Sequence, residues 1–336
     1  MTAINQKQGT VVCLQHKSEI LENNPPGDNF IRDLYVYLPP DYTEDALYPS
    51  VYVLTGFMGR GKMLLNDSPL TPNFAGRMDN LINQGKIKPM IAVLPDCFTR
   101  YGGSQYINSS ATGNYEDYLT QEIVPFVDET FCTLKDKNSR AVMGKSSGGY
   151  GALIMAMRHA DLFGLACSTS GDAYFEVSQL PDFPKAFRAL KGNPKGFLEK
   201  FWDEEAKKGK DDFAAINAVG MSVCYSPDPG SELGFDLPFD LKTGELRADI
   251  WAKWLAHDPV RLVESSVENL KSLKLLFIDA GTSDEYFLDL GARVLCERLK
   301  KFDIPHVTEE FDGGHFNTSY RQNRSLELIS ENIEVN

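Results

Sequence analysis

The 336-residue chain is poor in cysteine, histidine and positive charge, and each shortage argues against a class of function. Its six cysteines (Cys13, Cys97, Cys132, Cys167, Cys224 and Cys296) are scattered, with no C-x-x-C pair. That spacing argues against a disulfide framework or a thiolate zinc site and suits a reducing compartment. Lys and Arg number 34 against 47 Asp and Glu, a formal net charge of −13. An acidic chain repels phosphate backbones, so nucleic acid is not an expected partner, and the acidity is read as a solubility feature. No apolar run is long enough to span a bilayer, so no membrane partner is expected. The first ten residues lack the apolar stretch of a secretory signal, and the expected location is cytoplasmic.

The most informative segment runs from Arg140 to Ala152. Apolar Ala141–Met143 leads into Gly144-Lys145-Ser146-Ser147-Gly148, a G-x-S-x-G pattern, and then into the helical stretch Ala152–Arg158. Strand, sharp turn and helix make a nucleophile elbow, in which Ser146 is strained and its hydroxyl stands clear of the sheet. Side chains at 144 or 148 would collide with the neighbouring strand or helix, which accounts for both glycines. Ser147 is a rival only if Lys145 replaces the first glycine, so Ser146 is preferred. Ser147 would then give its backbone N–H to an oxyanion hole at the helix N-terminus.

A serine nucleophile needs a base, and the base needs a carboxylate to orient it. The chain has five histidines: His16, His159, His257, His306 and His315. In a strand–elbow–helix hydrolase the order is Ser, acid, His, which favours His315 in the loop Asp312-Gly313-Gly314-His315. His257, in Ala256-His257-Asp258-Pro259, is the competitor. For the acid, the strand Lys274–Ile278 runs on to Asp279-Ala280-Gly281-Thr282-Ser283-Asp284-Glu285, and the loop position favours Asp284. Asp172, in Ser170-Gly171-Asp172 after another strand, remains open as the alternative. The second oxyanion donor is expected in Gly56-Phe57-Met58-Gly59, at the Phe57 N–H or failing that Met58. The same loop nearly matches a P-loop, but Met63 stands where the Mg²⁺-binding hydroxyl belongs, and a thioether is a poor ligand for a hard cation. No cofactor or metal is expected.

On these residues the chain resembles the Putative esterase family of α/β-hydrolases, which includes S-formylglutathione hydrolases (esterase D), feruloyl and acetylxylan esterases, enterochelin esterase-like enzymes and mycolyltransferases. The resemblance is carried by Asp33–Tyr42, Tyr48–Gly56, Val93–Asp96, Asn114–Tyr118, Glu122–Phe126, Met143–Leu153, Asp161–Phe163, Ser170-Gly171, Gly281–Asp284 and Gly313–His315. Two features depart from the family pattern. Thr55 stands where many members carry His, and the stretch between Ser170-Gly171 and the acid strand is unusually long. The resemblance implies an α/β fold with a mostly parallel central sheet flanked by helices.

Strands are expected near 50–55, 90–95, 140–145, 165–169, 273–279 and 306–311, after an antiparallel pair at Val11–Leu21 and Phe30–Leu38. Helices are expected near 74–85, 116–130, 149–159, 286–302 and 319–333. Residues 1–172 and 263–336 then form the core, and 173–262 a cap-like insertion that holds all three tryptophans and a charged run at 204–212 read as a solvated helix end. Tyr106, Asn108, Tyr150 and Trp254 are the candidate substrate contacts. The expected activity is that of a serine carboxylesterase acting on small-molecule esters or thioesters through Ser146, His315 and Asp284. An acyltransferase with the same triad and a non-catalytic binding protein are the alternatives, and a homo-oligomer is compatible with the sequence.

Overall fold

The computed structural model describes residues 7–203, 205 and 207–335. The stretch read above for a secretory signal therefore lies, for residues 1–6, outside the described residues, as do Glu204 and Ala206 of the charged run. Among the described residues no helix is long and apolar enough to cross a membrane.

Strands β1 (Thr10–Lys17) and β2 (Ile31–Leu38) pair antiparallel from Thr10 opposite Leu38 to Lys17 opposite Ile31. They are followed by β3 (Ser50–Leu54), β4 (Ile91–Leu94), β5 (Arg140–Lys145), β6 (Leu165–Thr169), β7 (Leu275–Gly281) and β8 (Val307–Phe311). The sheet order is β1-β2-β4-β3-β5-β6-β7-β8, and from β4 onward every pairing is parallel. A parallel sheet is covered on both faces, so β3, β4 and β6 read as apolar or small-residue runs rather than alternating ones, and β7 does so apart from Asp279.

The main helices are α1 (Phe74–Asn83), α2 (Val124–Thr130), α3 (Ser147–Arg158), α4 (Phe183–Leu190), α5 (Pro194–Phe201), α6 (Lys210–Tyr225), α7 (Ala248–Leu255), α8 (Leu288–Lys301) and α9 (Arg321–Asn332). Alternate strand residues divide the core in two. Val51, Val53, Ala141, Met143, Cys167 and Phe277 pack with Phe74 and Met78 of α1 and Leu326 and Ile329 of α9. Tyr52, Leu54, Val142, Ala166 and Ile278 face the other way, into a larger core with α3, α8 and the insertion. The helix expected over 116–130 is interrupted by a wide π turn at Tyr118–Ile123. Pro125 explains it: proline has no N–H for the preceding turn and its ring crowds the carbonyl there, so the helix widens locally.

Residues 173–262 contribute α4 to α7. The 16-residue α6 is buried along most of its length, and it runs against the loop after β3: a Cβ at Gly220 would lie 2.5 Å from the Phe57 ring. Trp251 and Trp254 are buried with Phe183, whereas Trp202 is partly exposed. From the charged run, the Asp212 carboxylate accepts the Gly209 N–H at 2.8 Å and caps α6.

One buried ion pair ties α9 to the sheet. Arg321 Nε donates to Asp279 Oδ2 at 2.7 Å and Nη2 to Glu309 Oε2 at 2.6 Å, and the Asp279 carboxyl is raised by burial. Arg321→Met leaves Asp279 buried without its cation. A loss of about 3 kcal/mol is expected, read as a lowered urea midpoint, because an unpaired buried charge is the expensive half of such a pair. Equal midpoints for the two proteins would refute this.

Candidate active site

The elbow is built by steric exclusion. β5 ends at Lys145, α3 begins at Ser147, and Ser146 between them has φ 58° and ψ −126°, a conformation that side-chain-bearing residues rarely adopt. A Cβ on Gly144 would lie 2.3 Å from the Gly148 carbonyl oxygen, and one on Gly148 would lie 2.1 Å from that of Leu54. Both positions need hydrogen in place of a side chain, so that helix and strand can meet directly behind the serine. The Ser146 N–H is anchored to the Thr169 carbonyl at 3.0 Å. Gly148→Ala is expected to destabilise the protein by about 3 kcal/mol, because overpacking against backbone has no flexible side chain to yield. A denaturant midpoint unchanged from the parent would contradict this reading of the turn.

The loop after β8 carries His315 back to this turn. Its Nε2 lies 3.1 Å from Ser146 Oγ and its Nδ1 lies 2.9 Å from Asp284 Oδ2. Asp284 follows β7, and its other oxygen accepts the Tyr286 N–H at 2.9 Å. Burial pushes the Asp284 carboxyl up, but the His315 ring and the Tyr286 N–H outweigh it and hold the group below its usual range. Asp284 is therefore ionised throughout the neutral region, and its acceptor oxygen favours the tautomer with the proton on Nδ1 and the lone pair of Nε2 facing the serine. His315 is 5% exposed.

Glu285 has a role that sequence reasoning missed. Its Oε2 accepts the backbone N–H of His315 at 2.5 Å and so fixes the loop. A Cβ at Gly314 would lie 2.7 Å from that oxygen, so this glycine admits the carboxylate. The Ser283 N–H adds a bond to the Gly313 carbonyl at 3.0 Å. The signal was a carboxylate next to the acid, but which loop it would meet depends on the fold.

The rival residues lie elsewhere. His257 stacks on Tyr225 with centroids 5.1 Å apart, its Nδ1 is buried without a partner among the described residues, and burial lowers it to about 4. His159 faces Glu116 at 2.8 Å and His16 faces Glu122 at 3.4 Å. His306 sets Nδ1 against the Ile304 carbonyl. Asp172 is near enough to His315 to feel its charge, yet its hydrogen bonds are to Gln105 Nε2 at 3.4 Å and to the Ser147 side chain.

A Cβ on Gly56 would lie 3.5 Å from Ser146 Cβ, so the loop after β3 passes close to the Ser146 side chain. Neither Phe57 nor Met58 has an acceptor for its N–H among the described residues. Ser147 opens α3, where the first N–H groups lack intrahelical acceptors and the helix end is partly positive. Backbone donors without a recorded acceptor thus lie in both segments that adjoin Ser146.

The four candidate substrate contacts are placed differently from one another. Tyr106 and Tyr150 are buried, their hydroxyls donating to the carbonyls of Thr55 at 2.8 Å and His257 at 3.1 Å. Trp254 is fully buried and donates Nε1–H to Ser226 Oγ at 2.9 Å. Asn108 is exposed and accepts the Asp117 N–H at 3.1 Å. In each case a polar group is already committed to holding a loop. The partly exposed rings beside His315 are Tyr286 at 4.9 Å and Phe316 at 5.5 Å between centroids, neither singled out from sequence. Lys145 Nζ lies 5.7 Å from the Phe316 centroid. The available signal was adjacency, since Tyr286 is two residues past the acid and Phe316 one past the histidine.

A mostly parallel eight-stranded sheet with two antiparallel strands at one edge, a serine elbow after β5, an acid after β7 and a histidine after β8 define an α/β-hydrolase. The Putative esterase family model matches residues 31–325, and the chain belongs to that family. It is 31% identical over 172 residues to an endo-1,4-beta-xylanase/feruloyl esterase of Xylanibacter ruminicola, covering 48% of this chain and 23% of that protein. It is 29% identical over 299 residues to Esterase Rv1288 of Mycobacterium tuberculosis, covering 83% of this chain and 51% of the relative. The chain thus spans about half the length of one of these curated relatives and under a quarter of the other. Among solved structures, a ferulic acid esterase superposes with a TM-score of 0.64 at 19% identity, covering 97% of this chain and 99% of the other.

Proposed function

We propose that the protein is a serine carboxylesterase that cleaves ester or thioester bonds of small-molecule substrates. The observation that carries this reading is the continuous relay from Ser146 Oγ to His315 Nε2 at 3.1 Å and from His315 Nδ1 to Asp284 Oδ2 at 2.9 Å. Family membership supports the same chemistry.

In the first half-reaction His315 Nε2 takes the hydroxyl proton as Ser146 Oγ bonds to the carbonyl carbon. Asp284 stabilises the resulting imidazolium, and the N–H groups of Phe57 and Ser147 hold the oxyanion. The imidazolium then gives its proton to the leaving alcohol or thiol as the ester bond breaks, leaving an acyl-serine. Water enters, His315 removes its proton, and collapse of the second tetrahedral intermediate returns the proton to Ser146 and releases the acid. Residues 173–262 act as the cap, with α6 pressed onto the oxyanion loop and restricting water around it. Tyr286 and Phe316 form an aromatic wall beside the imidazole.

The test is covalent labelling of the purified protein with a fluorophosphonate probe, alongside hydrolysis of p-nitrophenyl esters of graded chain length. Stoichiometric labelling at Ser146, slowed while excess substrate ester is present, is expected. An unlabelled Ser146 in folded protein would overturn the proposal.

A further inference from the structure

Beside the nucleophile lies a buried polar pair that the relay leaves unused. Gln105 is fully buried, and its Nε2 donates to Tyr225 Oη at 2.9 Å and to Asp172 Oδ2 at 3.4 Å. The opposite amide orientation would set its carbonyl against the carboxylate, so electrostatics fixes this one. Gln105 Oε1 is then buried with no hydrogen-bond partner among the described residues. Asp172 is only 7% exposed, next to the Ser147 side chain and in the field of His315 and Asp284; burial pushes its carboxyl up to about 6, against the pull of His315 and Gln105.

The backbone around the pair is strained. Gln105 and Tyr106 are consecutive residues at φ 53° and 55°, and Ser170, two residues before Asp172, is at φ 44°. Such conformations persist only where the surroundings over-determine them, and they concentrate at ligand clamps. Close packing holds Asp172 in place: a Cβ on Gly149 in the first turn of α3 would lie 2.8 Å from Gly171 Cα. Two segments remote in sequence are thus held in unfavourable conformations, and both bring acceptors to the side of the sheet where Ser146 stands.

A buried amide oxygen left without a donor calls for a donor on the ligand, and the Asp172 carboxylate beside it, which accepts from Gln105 and the Ser147 side chain, has lone pairs to spare. An ammonium group would oppose the imidazolium that His315 becomes during the reaction, whereas a neutral hydroxyl would not. We propose that Gln105 Oε1 and Asp172 accept hydrogen bonds from a hydroxyl group borne by the substrate next to its scissile ester, so that the site selects hydroxylated esters over their deoxy counterparts. This rests on the esterase reading above and assigns Asp172 a role in specificity.

The experiment measures kcat/KM by pH-stat for ethyl glycolate, 2-hydroxyethyl acetate and ethyl acetate, each divided by its alkaline hydrolysis rate constant. One hydroxylated ester carries its hydroxyl on the acyl side and the other on the alcohol side. At least one should exceed ethyl acetate by ~10-fold or more, since a site built to bond a hydroxyl discriminates strongly against its absence. Asp172→Leu should bring that ratio close to one, and Asp172→Asn, which keeps one acceptor, should restore part of it. Ratios of one in both arms of the parent protein would overturn the proposal, as would a preference for ethyl glycinate over ethyl glycolate. An equal loss on all esters in Asp172→Leu would do the same. Should Asp172→Leu fail to fold, the parent's ratios and the Asn variant decide. Fluorophosphonate labelling separates the two readings: a labelled Ser146 with ratios of one removes only the hydroxyl preference, and an unlabelled Ser146 removes the esterase.

Discussion

Ser146→Ala is expected to lower kcat/KM for p-nitrophenyl acetate by at least ~10³-fold while leaving the denaturant midpoint close to that of the parent. That factor corresponds to about 4 kcal/mol of transition-state stabilisation. The rate loss follows from removal of the only oxygen within hydrogen-bond distance of His315 Nε2 among the described residues. The unchanged midpoint follows because the turn is enforced by Gly144, Gly148 and the Ser146 N–H bond to Thr169, none of which involves the hydroxyl. His315→Ala should fall by a similar factor, and the double variant should be little worse than either, since residues that act as one unit are strongly non-additive. On the proposed mechanism, residual turnover would come from the N–H donors of Phe57 and Ser147. Near-parental activity in pure Ser146→Ala, with folding intact, would remove the serine mechanism altogether.

The elements most legible in the sequence were those that obey a local rule. Short apolar runs marked β3, β5 and β6 to within a residue or two, because a strand covered on both faces has no polar side to confuse the pattern. The elbow was equally clear, since its two glycines are required by backbone clearances under 2.5 Å and nothing larger fits. Chain order favoured His315, and loop position favoured Asp284 while leaving Asp172 open, since both aspartates lie between Ser146 and His315 in the chain. What remained hidden depends on long-range packing. No local pattern says that the hydroxyls of Tyr106 and Tyr150 are tied to backbone carbonyls, because their partners lie 51 and 107 residues away. Glu285 and Gln105 were hidden for the same reason. Each is an ordinary polar residue until the fold brings it to the His315 N–H or to Asp172. The widened turn at Tyr118–Ile123 was missed although its cause, Pro125, stood in the sequence, since proline tells where a helix is disturbed but not how.

Asp284→Asn is expected to lower kcat by about 10³ to 10⁴-fold, and it separates the two carboxylates that flank the imidazole. Asn keeps the size and shape of Asp but can present its amide N–H₂ toward His315 Nδ1. The ring would then carry its proton on Nε2, where it faces Ser146 and cannot serve as a base. The geometry supports this assignment: Asp284 Oδ2 lies 2.9 Å from Nδ1, whereas Asp172 is hydrogen-bonded to Gln105 and the Ser147 side chain. The charge environment agrees. Hydrogen bonding from the His315 ring and the Tyr286 N–H overcomes burial and holds Asp284 ionised, whereas burial dominates at Asp172 and pushes it up to about 6. A depressed folded-state pKa also stabilises the fold at pH values above the ordinary carboxylate range, a contribution lost as pH falls through the folded value. Removal of the Asp284 charge should therefore weaken the acid sensitivity of unfolding as well as catalysis. On p-nitrophenyl acetate, Asp284→Asn should lose at least ~10²-fold more activity than Asp172→Asn, because only Asp284 sets the tautomer of the base. Equal losses in the two variants, or a larger loss at Asp172, would transfer the orienting role to Asp172 and make the contact at 2.9 Å incidental.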